Sequence, residues 1–263
     1  MTVTAAPTQH ETTTAGLRLS FDQAGSGAPV VVVHHSTGPL WSPFLDRLST
    51  THQVLALHLP GYGRSQRPTT ARSPGDLAVL TLQWLDALDL AGLDVVGLGF
   101  GGWVAAEMAT MNQRLFRTLT LVGAAGIKPS EGFIFDPMLG SFEDYVRAGF
   151  ADQSRFNGLF GDEIDAALTE LWDFSREMTA RLTWKQWMWS TPLPDLLRGV
   201  ATPALVVWGD QDRIVPLECG ERYASQLLDA RLRVVPDAGH NVDLERPDEL
   251  AQLVADFFST SGR

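Results

Sequence analysis

The stretch with the most chemical content is Asp94-Val95-Val96-Gly97-Leu98-Gly99-Phe100-Gly101-Gly102-Trp103. A short apolar run breaks into glycines and resumes as the helical pattern Val104-Ala105-Ala106-Glu107-Met108-Ala109. A strand followed by a glycine-spaced sharp turn into a helix is the layout that presents a Ser hydroxyl in G-x-S-x-G turns. Here the central residue is Gly99. Glycine carries no oxygen, so an acyl-enzyme on residue 99 cannot form, and ordinary Ser esterase or lipase chemistry is excluded at that atom. Glycine does suit the positive-φ geometry of such a turn, and the missing hydroxymethyl leaves room for a water or a substrate atom. The glycines superficially resemble a dinucleotide loop, but no acidic residue ends a following strand suitably.

The elements that must position this turn are legible as buried strands. Val30-Val31-Val32-Val33, Val54-Leu55-Ala56-Leu57, Thr118-Leu119-Thr120-Leu121-Val122 and Ala204-Leu205-Val206-Val207-Trp208 read as strands, the most apolar of them buried on both faces, as in parallel sheets. Leu17 to Phe21 alternates apolar and polar as a half-buried strand, and Leu232 to Val235 closes the series. Between them lie helical stretches: Pro74 to Asp89, with Ser73 as N-cap and Leu77, Leu80, Leu85 and Leu88 on its buried side, and Asp248 to Phe258. Strands alternating with helices make right-handed βαβ crossovers with helices on both faces of the sheet. The interval from Ile127 to Pro194 breaks the rhythm. It lacks Val/Ile runs, is helix-compatible and carries Phe133, Phe135, Met138, Phe142, Tyr145, Phe150, Trp172, Phe174, Trp184, Trp187, Met188 and Trp189.

Composition bounds the rest. The chain has 263 residues, 44% hydrophobic, which suffices for one large core. A formal charge of −11 without a Lys/Arg cluster argues against nucleic-acid partners. Cys219 is the single cysteine, so there is no internal disulfide and no Cys-rich metal pattern, which fits a reducing cytoplasm. Residues 1–16 are Thr- and Ala-rich without a basic start or an apolar core, so they are expected to be a flexible tail and not a signal peptide. No run reaches the roughly 18 apolar residues of a membrane span. The expected division is a tail (1–16), a core α/β domain in two parts (17–126 and 195–263) and an inserted helical cap (127–194).

Four motifs in order resemble those of the α/β-hydrolase superfamily, from about Leu17 to Phe258 and most weakly in the cap. They are His34-His35-Ser36-Thr37-Gly38, Gly61-Tyr62-Gly63-Arg64-Ser65, the turn at Gly99, and Trp208-Gly209-Asp210-Gln211-Asp212-Arg213-Ile214-Val215-Pro216 followed by Gly239-His240-Asn241. The resemblance implies the α/β-hydrolase fold, with a mostly parallel sheet, helices on both faces and a helical cap. It also implies Asp212 as the acid and His240 as the base, with Asp210 an alternative acid that the G-x-x-D pattern disfavours. The carboxylate would fix the imidazole tautomer and leave the other ring nitrogen basic. An oxyanion hole would use the backbone N–H groups of Phe100 and Ser36, the former at a helix start whose dipole favours negative charge.

The chain departs from the family pattern at three places. Gly99 replaces the nucleophile, His35 stands where the family has Gly, and His58 stands where the loop commonly begins with Asp. His58 reads as structural; for His35 a ligand-facing and a packed role both stand open. Three functions follow. The first is an enzyme of C–C hydrolase or lyase type, in which the His240–Asp212 dyad is the general base on a small apolar or aromatic carbonyl substrate contacted by His35, Trp184, Trp187 and Met188. The second is a non-catalytic small-molecule binder. The third is a hydrolase whose natural Ser has been replaced. Retention of Asp212, His240 and the oxyanion loop favours the first, with no cofactor and no metal; Ser36 and Cys219 are weak substitute nucleophiles, and nothing in the sequence fixes the oligomeric state.

Overall fold

The computed structural model describes residues 6–161, 163–185 and 187–261. The first half runs β1 (Thr8–Thr14), β2 (Leu17–Ala24), β3 (Pro29–Val33), α1 (Pro43–Leu48), β4 (Gln53–Leu57), α2 (Pro74–Ala87), β5 (Leu93–Leu98), α3 (Phe100–Asn112) and β6 (Phe116–Val122). Between β6 and the next strand lie α4 (Phe142–Ala148), α5 (Gln153–Phe160), α6 (Ala166–Thr183) and α7 (Leu193–Leu197). The chain closes with β7 (Ala204–Gly209), α8 (Leu217–Gln226), β8 (Ala230–Val235), α9 (Val242–Glu245) and α10 (Pro247–Thr260).

The strands form one sheet in the order β1-β2-β4-β3-β5-β6-β7-β8. The pairs β1–β2 and β2–β4 are antiparallel and the other five are parallel. Period-two alternation sends successive side chains to opposite faces. Val31, Val33, Val95 and Val206 pack into one core with α2, α3 and α8, while Val30, Val32, Val96 and Val207 pack into the other with α1 and α10. This is why the central strands read as unbroken apolar runs. The N-terminus of α2 is fixed as its sequence suggests, with the Ser73 side chain accepting from Asp76 N–H and Pro74 in the first turn. Its buried face is Leu77, Ala78, Thr81, Trp84 and Leu85; Leu80 and Leu88 are only partly buried.

The expectation of a flexible tail over 1–16 fails from Thr8 onward. Thr8–Thr14 is an edge strand registered on β2 from Thr8↔Gln23 to Thr14↔Leu17. Ala15 and Gly16 make the two-residue turn, with φ of 51° and 76°, as tight hairpins require. Thr is a good strand former even though polar, and an exposed edge strand gives no apolar signal. His10 stacks on Phe21, and Trp84 Nε1 donates to Thr12 Oγ1 at 2.8 Å.

Candidate active site

Gly99 alone connects β5 to α3, at φ 52° and ψ −113°, a conformation that a Cβ disfavours. Its N–H donates to Val122 O (2.8 Å), and its carbonyl accepts from Gly102, Trp103 and Ala125. Gly101 N–H donates to His34 O (3.0 Å), which binds the loop after β3 to the start of α3. The turn thus keeps its shape without the side chain it normally displays.

After β7 the chain turns back through Asp212, whose Oδ1 accepts from Ile214 N–H (2.8 Å) and Val215 N–H (2.9 Å). This leaves Oδ2 for His240 Nδ1, at 2.9 Å. Both side chains are buried, 0% and 5% exposed. Asp210 instead accepts from Ala238 N–H at 3.4 Å. An ionised carboxylate only accepts, so Nδ1 of His240 carries the hydrogen and Nε2 is the free base. That nitrogen faces the turn: a Cβ built on Gly99 would stand 2.8 Å from it.

The same point lies 2.5 Å from His35 Nδ1. Of the two roles open for His35, the structure places its ring toward residue 99. Its other nitrogen, Nε2, is 3.0 Å from Asp243 Oδ1, in a pair whose side chains are 8% and 4% exposed. Nδ1 of His35 is buried and makes no hydrogen bond to protein. The two rings sit 5.2 Å apart, tilted by 60°. Asp243 went unrecognised in the sequence; the one available signal is its position three residues after His240, on the one-turn helix α9.

Among the described residues, the backbone N–H groups of Ser36 and Phe100 donate to no protein acceptor. The loop that carries Ser36 is gripped by the helices between β6 and β7. Ser36 Oγ is 3.0 Å from the hydroxyl of Tyr145 on α4, and Thr179 of α6 reaches Ser36 O at 3.4 Å and the Tyr62 hydroxyl at 2.9 Å. Glu245 ties α4 and α5 to the His240 loop, accepting from Gly239, Ala151 and Asp152 N–H at 2.6, 2.9 and 3.0 Å. Burial holds its carboxyl above the ordinary range despite these bonds.

The neighbouring polar groups are structural. His34 Nδ1 donates to His35 O (2.7 Å) and Nε2 accepts from Leu59 N–H (3.2 Å); burial lowers its pKa to about 3, so it stays neutral. His58 sits between Asp22 (3.1 Å) and Arg64 N–H (3.1 Å), which holds the Gly61–Ser65 turn. Cys219 is buried in α8 with Sγ on Ile127 O (3.3 Å), and burial pushes its thiol up to about 12, far from a nucleophilic thiolate. Ser36 is held through its hydroxyl by Tyr145 and is not placed on the His240 base. Among the described residues no group of three or more His, Cys, Asp or Glu is arranged to hold a metal.

A cavity of ≈ 530 Å³ lies between the 128–139 segment and the end of α6 with the residues that follow it. Trp184, Trp187 and Met188 line it with Trp189, Phe133 and Lys128. Trp184 and Trp187 are 70% and 63% exposed, whereas Met188 is buried. Trp187 and Met188 have φ of 43° and 70°, a strained backbone for residues with side chains, held by Trp187 N–H on Thr183 O and Gly126 N–H on Met188 O. None of His35, Gly99, Phe100 and His240 is on the cavity wall. Phe135, between the lining residues Ile134 and Asp136, donates its N–H to Ile214 O, next to the Ile214 amide that holds Asp212. No helix among the described residues is long and apolar enough to cross a membrane.

The mostly parallel eight-stranded sheet, with helices on both faces and a buried Asp–His pair on the loops after β7 and β8, follows the α/β-hydrolase fold. The sequence model of the Alpha/beta hydrolase family matches residues 30–253, and the chain belongs to that family. It is 28% identical over 265 residues to 2-hydroxymuconate semialdehyde hydrolase of Pseudomonas sp. strain CF600, covering 93% of this chain and 92% of that one. It is 26% identical over 268 residues to 2-hydroxy-6-oxononadienedioate/2-hydroxy-6-oxononatrienedioate hydrolase of Paraburkholderia xenovorans strain LB400, covering 92% and 91%. The structure of the meta-cleavage product hydrolase from Pseudomonas fluorescens IP01 superposes with a TM-score of 0.79 at 23% identity, over 95% of this chain and 97% of that one.

Proposed function

We propose that the protein is a cofactor-independent C–C bond hydrolase that acts on a small, largely apolar or aromatic carbonyl substrate and uses water in place of a Ser nucleophile. His240, oriented by Asp212, is the general base, and the amides of Phe100 and Ser36 hold the developing oxyanion. One observation carries the reading: Nε2 of His240, with its tautomer set by Asp212, stands 2.8 Å from the point where a Ser Cβ would be. With no hydroxyl on residue 99 for that base to act on, the proton it takes is a water's. The relatives, whose names describe hydrolases of hydroxy-oxo-dienoate type acids, support the substrate class. The aromatic cavity supports an apolar substrate body, with the helical insertion over 127–194 as its roof and Trp184, Trp187 and Met188 as contacts. Replacement of a natural Ser is disfavoured by crowding, because at 2.5 Å from His35 Nδ1 even a Cβ is too close.

The test is incubation with 2-hydroxy-6-oxo-dienoates bearing methyl or phenyl groups, in ¹⁸O-enriched water, with products read by mass spectrometry. Cleavage with one solvent oxygen in the acid product is expected, together with a loss of about 10³-fold or more in His240→Ala. Cleavage without solvent oxygen would make the protein a lyase. Saturable binding without any turnover would make it a binder.

A further inference from the structure

Two imidazoles, each backed by its own buried carboxylate, converge on one point above Gly99. His240 reaches it with Nε2 and His35 with Nδ1, both within 2.8 Å of the position a Cβ would take. Asp212 on Nδ1 of His240 and Asp243 on Nε2 of His35 put the ring hydrogens on the far side of each ring. In the neutral state, therefore, two acceptors face each other across the same small space. Two acceptors call for one species with two donors, and a water molecule is that species; because the Cβ point is one covalent bond from Gly99 Cα, the water that bridges the two nitrogens lies farther out from the turn than that point.

The geometry points to a second catalytic base: His35, oriented by Asp243, and His240, oriented by Asp212, together hold the attacking water by its two O–H bonds. This rests on the water-attack reading of the site given above. A water that donates both hydrogens keeps its lone pairs free for the substrate carbonyl. In the first step His240 Nε2 takes one water proton while the oxygen bonds to the carbonyl carbon, and the carbonyl electron pair moves onto the oxygen held by the Phe100 and Ser36 amides. The adduct retains one O–H, directed at His35 Nδ1. In the second step the oxyanion re-forms the C=O, the C–C bond breaks and its electron pair leaves on the departing carbon. The His240 imidazolium protonates that fragment, and His35 takes the remaining O–H proton of the new acid. The sum is ketone plus water to carboxylate, a protonated fragment and one proton, with no redox change. One imidazole would have to serve both proton losses in turn; two serve one each.

The other titratable groups around the rings do not compete for these protons. His34 is held neutral by burial and spans His35 O and Leu59 N–H. The Tyr145 hydroxyl, on Ser36 Oγ, is raised by burial. Glu245 binds only backbone N–H groups, those of Gly239, Ala151 and Asp152.

The test uses the full-length protein and two variants. His35→Asn keeps a hydrogen-bond acceptor near the position of Nδ1 but takes up no proton. Asp243→Asn reverses the tautomer of His35 and serves where the first variant does not fold. On 2-hydroxy-6-oxo-6-phenylhexa-2,4-dienoate each is expected to lower kcat about 10²-fold with KM nearly unchanged. Wild-type kcat in both variants would overturn the proposal while leaving the His240 reading intact. An ¹⁵N–¹H imidazole correlation spectrum reads the same claim without turnover. It is expected to show His35 protonated at Nε2 and bare at Nδ1 in the wild type, with the reverse in Asp243→Asn, and a wild-type His35 protonated at Nδ1 overturns it.

Discussion

Restoring the hydroxyl at residue 99 separates a crowded site from one that merely lacks an atom. In Gly99→Ser the new Cβ would lie 2.5 Å from His35 Nδ1 and 2.8 Å from His240 Nε2, where ordinary contacts begin near about 3.4 Å; overlap of this kind costs about 1–3 kcal/mol. The turn at φ 52°, ψ −113° adds about 1–3 kcal/mol of backbone strain for any residue with a Cβ. His35 can relieve the overlap only by swinging away from Asp243, which leaves a buried carboxylate alone. At roughly 2–4 °C per kcal/mol for a chain of this size, the summed cost of about 2–6 kcal/mol is expected to lower Tm by about 4–24 °C. It is also expected to give no burst of nitrophenolate from nitrophenyl esters. The combined variant Gly99→Ser, His35→Gly, Asp243→Asn removes both the obstructing ring and the buried carboxylate charge it hydrogen-bonds. It leaves the introduced hydroxyl facing His240–Asp212 and the Phe100 and Ser36 amides, and is expected to acylate with a burst of about one equivalent. A burst of equal size and rate in Gly99→Ser alone, with Tm unchanged, would refute the argument that His35 occupies the nucleophile's place.

Two further perturbations bear on other parts of the molecule. Glu107 is buried, and although Trp103 Nε1 donates to it at 3.1 Å, burial holds its carboxyl above 4.5. A carboxyl raised in the folded state contributes stability below its unfolded pKa, and that contribution is lost as pH rises through the folded value. Glu107→Gln is therefore expected to melt above the wild type at pH 8, with the gap closing toward pH 4.5, as read by thermal unfolding across pH; a gap constant with pH contradicts the assignment. Trp184→Ala and Trp187→Ala remove walls of the ≈ 530 Å³ cavity without touching either dyad, so steady-state kinetics should show KM raised severalfold and kcat changed less. A fall in kcat at constant KM would place the substrate elsewhere.

The sequence exposed most of the sheet because its central strands are covered on both faces and must be apolar throughout, as Val30 to Val33 and Val95 to Val96 are. It hid β1 because an edge strand facing water has no such requirement, and seven polar residues from Thr8 to Thr14 carry only the weaker signal of Thr content. The Asp212–His240 pairing was legible because both residues sit at fixed offsets from strand ends, on loops that the sheet alone positions. Asp243 was not, because its partner is 208 positions earlier in the chain and the pair exists only once the loops after β3 and β8 meet. The same holds for Tyr145 and Ser36, 109 residues apart. Local pattern reports which face of an element is buried; it does not report which polar group meets which.

Gly99, His35 and Asp243 make sense only together. A Cβ at 99 is incompatible with the His35 ring, so the glycine is the condition for placing that imidazole over the turn. The ring in turn needs Asp243, since a buried imidazole with neither nitrogen bonded would be costly, and the carboxylate also determines which nitrogen is left bare. That bare nitrogen, buried and without a protein partner, costs free energy in the folded state unless a donor meets it. A site that served only to vacate the nucleophile would be more stable with an apolar residue at 35. The retained cost is the physical reason to look for a donor delivered there in the working state, and a water bridging His35 Nδ1 and His240 Nε2 is the donor proposed for it.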